Sequence, residues 1–367
     1  MRDEGWAALV ARSILVPLRD LRLRAEVSAA DAGPVLDAAK ETELLAWMVR
    51  GAYADVPFAG QRAMSTRRVL IIKPPALPGL HPRPKARFCV RGNEDRNKAL
   101  IESFSPAVSR STVRLLLSLL ATMGWAPRSV DVSTAFLQGM PIDRPDPVYV
   151  RPPHEAGVAR GLIWLLAKCA YGLVDAPRMW YERVFSLTRK TGAVRSAADS
   201  SVVVLLADGA VILSVSFHVY DLLFGDTAAG VALFESELRA AFSIGPVAVV
   251  SFVFTGLAIT LTVASEGRPA RILVHRQAYV DSLDYIPLSG ARVATAGAAV
   301  TSTELLLYRR AADALPWAAG KTLPHFACGA AVLTRHLRHA LVADLVRANK
   351  KLEAARLSCD FGLTFRP

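Results

Sequence analysis

The stretch over residues 201–224 constrains the fold more than any other part of the chain. Two apolar runs, 201–206 and 210–217, flank Asp208-Gly209, and His218-Val219-Tyr220-Asp221-Leu222-Leu223 follows them. Asp-Gly between hydrophobic runs is the turn of a β-hairpin. The polar break at 218–221 lies between further apolar residues, so it reads as a second reversal with a carboxylate, Asp221, at its tip. Another carboxylate, Asp131, lies in Ser129-Val130-Asp131-Val132-Ser133-Thr134-Ala135-Phe136-Leu137. Two acidic side chains on neighbouring strand ends are what a magnesium-dependent phosphoryl-transfer site requires. Taken singly, Asp131 reads as a capping or turn residue and Asp221 as a hairpin-turn residue.

Bulk properties narrow the partners. With 367 residues, of which 52% are hydrophobic, the chain can bury a sizeable core, and its length suggests about two or three folding units. Lys and Arg number 44 against 32 Asp and Glu, a net charge of +12. That excess points to a polyanion, either nucleic acid or an acidic membrane surface. Cys89, Cys169, Cys328 and Cys359 form no C-x-x-C pair and read as reduced thiols of an intracellular protein, in the cytoplasm or nucleus. The charge-free run 240–265 is long enough to span a bilayer. Gly245-Pro246 and Gly256 interrupt it, however, and its Val, Thr and Phe content predicts two short buried strands joined by a turn. Membrane association through this run stands as the alternative.

Periodicity and turn chemistry predict a helix over 41–51, an extended segment over 53–57, and strands over 67–73 and 85–91. The two strands form a basic hairpin around a proline-rich loop at 74–84. A helix over 111–123, capped by Ser109 or Ser111, precedes the Asp131 strand, and a short helix over 134–137 follows it. Strands are expected over 148–150 and 163–168. A helix should open at Asp175 or Ala176, with Pro177 where proline is tolerated, and another should span 229–242. Residues 290–303 read as a linker, ahead of helices over 305–319, 326–339 and 342–356. Mixed hairpins and helices argue for an α+β fold. Gly320-Lys321-Thr322 lacks the upstream glycine of a phosphate-binding loop, and the pairs His325/Cys328 and His336/His339 lack the further ligands of a zinc site.

In order, five blocks resemble the reverse transcriptase of copia-type LTR retrotransposon polyproteins. They are Lys85-Ala86-Arg87-Phe88-Cys89-Val90-Arg91-Gly92, Ser103-Phe104-Ser105-Pro106, Asp131-Val132-Ser133-Thr134-Ala135-Phe136-Leu137-Gln138-Gly139, Tyr171-Gly172-Leu173-Val174-Asp175-Ala176-Pro177-Arg178-Met179-Trp180-Tyr181, and His218-Val219-Tyr220-Asp221-Leu222-Leu223. Weaker echoes are Phe254-Thr255-Gly256-Leu257-Ala258-Ile259 and Asp360-Phe361-Gly362-Leu363-Thr364.

The resemblance implies a right-hand polymerase fold. Fingers, palm and thumb would span 41–290 after a leader of unknown role over 1–40. A helical connection over 291–367 would precede a ribonuclease H that the sequence does not include. It also implies an RNA or DNA template-primer, deoxynucleoside triphosphates, and Mg2+ or Mn2+ in two-metal nucleotidyl transfer. Asp131 and Asp221 would be catalytic, with Asp131 and position 220 holding metal. Lys85, Arg87, Phe136, Tyr171 and Gly172 would meet the nucleotide, and Arg91 and Gly256 the template or primer. Phe136 also reads as a plain core residue, and the basic strand residues as a solvated face.

The family's hairpin tip reads Tyr-Val-Asp-Asp. Here it reads His-Val-Tyr-Asp, so Asp221 matches the second Asp and Tyr220 stands in place of the first. A phenol with a pKa of about 10 is a poor magnesium ligand at neutral pH. Alternation along a strand turns residue 221 away from residue 220, so Asp221 is no substitute. The stretch after the tip is also one residue short of the family spacing. Two readings follow, an impaired polymerase domain and a catalytically dead relic that binds nucleic acid.

Overall fold

A computed structural model describes residues 33–73, 83–263, 269–358 and 361–367. Residues 1–32 of the leader expected over 1–40, residues 74–82 of the loop expected over 74–84, residues 264–268, Cys359 and Asp360 lie outside the described residues.

Helix α1 (Pro34–Val49) leads to strands β1 (Tyr53–Pro57), β2 (Ala63–Met64), β3 (Thr66–Lys73) and β4 (Arg83–Val90). Helix α2 (Arg110–Thr122) and β5 (Arg128–Asp131) follow, then a 3-10 turn (Ala135–Gln138), β6 (Tyr149–Val150), β7 (Leu162–Leu166) and α3 (Ala176–Lys190). Strands β8 (Val194–Arg195), β9 (Val202–Ala207), β10 (Ala210–His218) and β11 (Asp221–Asp226) precede α4 (Ala228–Ala241). After β12 (Ser251–Phe254), β13 (Leu257–Val263) and β14 (Pro269–His275) come α5 (Gln277–Asp281), α6 (Gly290–Ala294), α7 (Ser302–Ala319), α8 (Ala327–Arg335), α9 (Val342–Arg356) and β15 (Leu363–Phe365). The sheets have the orders β1-β7-β6-β2, β5-β11-β10-β9-β8, β12-β13-β14-β15 and β3-β4. This is the α+β architecture expected from the sequence.

Two compact units divide the chain. The first comprises Met1–Val108, Asp131–Leu222 and Ala228–Gly245, and the second Ser109–Val130, Leu223–Thr227 and Pro246–Pro367.

In the first unit, α1 starts at Pro34, well before the expected residue 41, because proline's fixed φ suits the first helical turn. Its Trp47 is fully buried 5.6 Å from Trp164, on whose other neighbour, Tyr53, the indole stacks at 4.0 Å. Strands β3 and β4 pair antiparallel from Thr66↔Val90 to Lys73↔Arg83, which makes the basic hairpin. Asp208 and Gly209, at φ 51° and 78°, form the expected tight turn between β9 and β10.

In the second unit, Ser109 caps α2 by accepting a hydrogen bond from the Thr112 N–H at 3.0 Å. Val113, Leu116, Leu117 and Leu120 form the buried face of that helix. The charge-free run 240–265 contains β12 and β13 and no spanning helix. Thr255 and Gly256, at φ 51° and 74°, turn one strand into the other. The strands are half-buried, contrary to the expectation of full burial: Phe254 and Ile259 are sealed while Val253 is 66% exposed, as in an antiparallel sheet with one face packed. Among the described residues no helix is long and apolar enough to cross a membrane.

The expected linker over 290–303 is partly helical. Caps flank it: the Ser289 hydroxyl, just before it, accepts from the Arg292 N–H, and Thr301 forms a capping box with Glu304 at the start of α7. Helices α7, α8 and α9 enclose a core of Tyr308, Leu315, Leu333, Leu345 and Leu352, where the Tyr308 hydroxyl donates to the Leu333 carbonyl at 2.7 Å. Strand β14, absent from the sequence reading, alternates Ile272 and Val274 inward with Arg271 outward.

Candidate active site

Strand β10 ends at His218 and β11 begins at Asp221, so Val219 and Tyr220 are the turn itself. Val219 adopts φ 56°, a left-handed conformation that a β-branched residue reaches only under strain of about 1–3 kcal/mol. The Trp180 indole N–H donates to the Val219 carbonyl at 2.6 Å and holds the turn in place. Trp180 is 1% exposed on α3 and meets Phe242 edge-on at 5.0 Å. A second clamp joins the tip to the Asp131 strand, because the Val132 N–H donates to the Tyr220 carbonyl at 3.0 Å. The Asp131 carbonyl in turn accepts from the Gly245 N–H at 2.9 Å. The backbone of Asp131 is thus fixed beside the tip, while its side chain is exposed; Tyr220 and Asp221 are half-buried.

The other wall comes from β4. Arg87, paired opposite Val69, has its guanidinium 5.0 Å from the Tyr171 ring centroid and interacts electrostatically with Tyr220. Burial alone would lower the Arg87 pKa, but Tyr171 and Tyr220 outweigh it and raise the value, so the group is cationic at every ordinary pH. Burial pushes the Tyr171 phenol well above its usual range, against the opposing pull of Arg87. Phe136 packs edge-on to Tyr171 at 4.9 Å and is 9% exposed. Gly172 lies at φ 95°, and a Cβ there would sit 1.9 Å from the Val90 carbonyl oxygen. The Val90 N–H donates to the Tyr171 carbonyl at 2.7 Å, so the glycine is needed for close backbone approach.

Asp131, Tyr220, Arg87, Tyr171, Phe136 and Gly172 are therefore linked by contacts within one unit, and Asp221 adjoins them at the start of β11. Lys85, two residues from Arg87 on the same strand face, acts on Glu43. Glu43 is buried and its pKa is raised, chiefly by burial, although Trp47 donates to it. Arg91 is exposed at 4.0 Å from Glu94. Gly256 belongs to the second unit.

Sequence reasoning missed Glu43 and Arg144. The Arg144 guanidinium is buried and forks onto Asp175 at 2.7 and 2.5 Å, with a further bond to Asp95 at 2.7 Å. Asp175 is thus a buried anchor, and its side chain makes no helix cap. Arg144 lies in a proline-bounded loop with no periodicity, so no local signal marked it.

Magnesium takes hard oxygen ligands, ideally carboxylates. The tip offers the carboxylates Asp131 and Asp221 and, at position 220, a phenol in place of a third. Among the described residues no group of three or more His, Cys, Asp or Glu is placed to hold a metal ion. This donor set does not fit a two-metal centre.

The family described as "Reverse transcriptase (RNA-dependent DNA polymerase)" matches residues 54–282, more than half of the chain. The chain belongs to the reverse transcriptase family. Its relatives include the retrovirus-related Pol polyprotein from transposon RE2 of Arabidopsis thaliana, 34% identical over 142 residues. That match covers 38% of this chain and 10% of the relative. The Pol polyprotein from transposon TNT 1-94 of Nicotiana tabacum is 34% identical over 121 residues, 32% of this chain and 9% of the relative. Each match thus spans about a tenth of a polyprotein, and the copia-type resemblance is borne out. Among solved structures, the foamy viral protease-reverse transcriptase dRH, determined in complex with double-stranded DNA, superposes with a TM-score of 0.53 at 14% identity. It covers 90% of this chain and 49% of that one. At that identity the likeness speaks for the fold, and it bears out the reverse transcriptase architecture.

Proposed function

We propose that this reverse transcriptase domain descends from an RNA-directed DNA polymerase of a retrotransposon polyprotein and is impaired in metal-dependent nucleotidyl transfer. One observation carries the reading: Tyr220, bonded through its carbonyl to the Val132 N–H, lies beside the Asp131 strand where the family has a metal-binding Asp, and it interacts electrostatically with Arg87. The substitution costs the site twice. It removes a carboxylate from the metal position, and it sets a phenol beside the cation assigned to the triphosphate.

In this reading the polymerase part extends over 41–290 and the helical connection over 291–367, and the protein works inside the cell, in the cytoplasm or nucleus. Template-primer and deoxynucleoside triphosphates are the ligands, and Mg2+ or Mn2+ the cofactor of any surviving activity. Phe136 and Tyr171 wall the nucleotide position, with Lys85 nearby on the same strand. A second reading, a dead relic that still binds nucleic acid, is favoured by the same Arg87–Tyr220 contact.

Primer extension on an RNA template with Mg2+ or Mn2+ tests the proposal. No product above background is expected from a preparation that still retains an RNA/DNA hybrid on a filter. Templated extension by the unmodified chain contradicts it.

A further inference from the structure

Strand β3 enters its hairpin beside a cavity of about 230 Å3 that lies wholly within the first unit. Ser65, Thr66 and Arg68 line one side, and residues 151–154, which follow β6, line the other. Side chains alternate across a strand, so the pairs Thr66↔Val90 and Arg68↔Phe88 share one face of the hairpin, and Val69↔Arg87 and Ile71↔Lys85 share the other. The face with Arg68 is also the one where Leu70 and Ala86 pack on Leu36 of α1. The cavity is thus on the side of the hairpin turned away from the two cations assigned to the nucleotide.

Its walls are tied together. Strands β2 and β6 pair parallel through Met64↔Val150, and the Arg151 N–H donates to the Met64 carbonyl at 2.8 Å. The Thr66 hydroxyl donates to the Arg151 carbonyl at 3.3 Å. The Ser65 N–H and hydroxyl both donate to the Glu94 carboxylate, at 2.7 and 2.6 Å. Pro152 and Pro153 fix the backbone φ beyond Arg151.

Among the described residues the lining holds two guanidiniums, an imidazole and two hydroxyls, and no carboxylate. Glu94 is held below the usual carboxylate range first by Ser65 and only lastly by Arg151, so Ser65 is its main partner and Arg151 is left to other ligands. Arg68 uses one Nη on Glu155 at 2.5 Å, a carboxylate that Lys40 also reaches at 3.9 Å. A guanidinium carries five N–H donors, so this pair orients Arg68 and leaves donors over. Two arginines on a walled cavity suit an oxyanion with several acceptor oxygens. The volume is below the roughly 300 Å3 at which pockets for larger organic ligands begin.

We propose that this cavity binds a small free phosphate oxyanion, of the size of inorganic pyrophosphate, with Arg151 and Arg68 as its chief donors and His154 beside them. The inference uses none of the residues around Tyr220 and does not rest on the function proposed above.

Isothermal titration calorimetry of the full chain with sodium pyrophosphate at low salt tests it. Arg151→Gln should weaken binding about tenfold, the loss expected when one charge-assisted hydrogen bond is removed. His154→Gln, at a second exposed position, should weaken it as well, and near-UV circular dichroism checks both folds. Arg87→Gln, on the opposite face, should leave this binding intact. An affinity unchanged in Arg151→Gln, or lost in Arg87→Gln instead, overturns the proposal, as does a wild-type chain that takes up no pyrophosphate. If a 5′-phosphorylated oligonucleotide binds through Arg151 while pyrophosphate neither binds nor displaces it, the phosphate belongs to nucleic acid and the free-ion site fails.

Discussion

Replacing Tyr220 with Asp would supply the missing carboxylate beside Arg87. If the segment after the tip is one residue short, as the resemblance implies, Tyr220→Asp alone is expected to leave primer extension far below that of an intact family member. Full recovery in a gel-based extension assay would show that the rest of the site is sound. Trp180→Phe removes the indole donor to the Val219 carbonyl while keeping most of the packing against Phe242. The expected cost is about 1–2 kcal/mol in urea unfolding, the price of a buried carbonyl left without its donor. At this scale the sequence shows Asp131 and the tip clearly, because each lies in a contiguous block. The Arg87–Tyr171 contact and the Arg144–Asp175 fork join residues far apart in the chain, and no local pattern announces such pairs.

Helices and strands follow their local chemistry closely. Asp208-Gly209 and Thr255-Gly256 make left-handed turns, and Ser109 caps α2 as the sequence suggests. Ser109→Ala should therefore lower stability by about 1 kcal/mol, measured by chemical denaturation. The capping box of α7 gives a pH prediction. The Arg292 guanidinium first, and then the Thr301 N–H, hold the Glu304 carboxyl down at about 2, below its ordinary value of 4.5. A depressed carboxyl contributes stability above its unfolded pKa and loses it as pH falls through the folded one. Thermal melts should therefore show an acid-side loss between pH 4.5 and 2 that is smaller in Glu304→Gln. Boundaries were less legible than elements. Nothing before residue 41 signalled α1 except Pro34, and α6 lay unrecognised in an Ala/Gly-rich stretch until the Ser289 cap defined it.

For the whole molecule, the excess of Lys and Arg makes electrostatics the dominant handle on partners. Binding of an RNA/DNA hybrid should weaken steeply with salt, since each neutralised phosphate releases counterions; a salt-insensitive association in anisotropy measurements would exclude phosphate contacts. The charge-free run 240–265 shows how composition misleads at this scale. Its lack of charge reflects one packed sheet face and turn residues, a distinction that length and hydropathy alone do not make. The central claim is that the Asp131 strand and the 219–220 turn meet in a centre one metal-holding carboxylate short. Titration with Mn2+ followed by electron paramagnetic resonance tests it most directly. The unmodified chain should show no pair of bound ions that depends on Asp131, and Tyr220→Asp should gain ions that a further Asp131→Asn removes. Two Mn2+ ions held by the unmodified chain and lost in Asp131→Asn would contradict it.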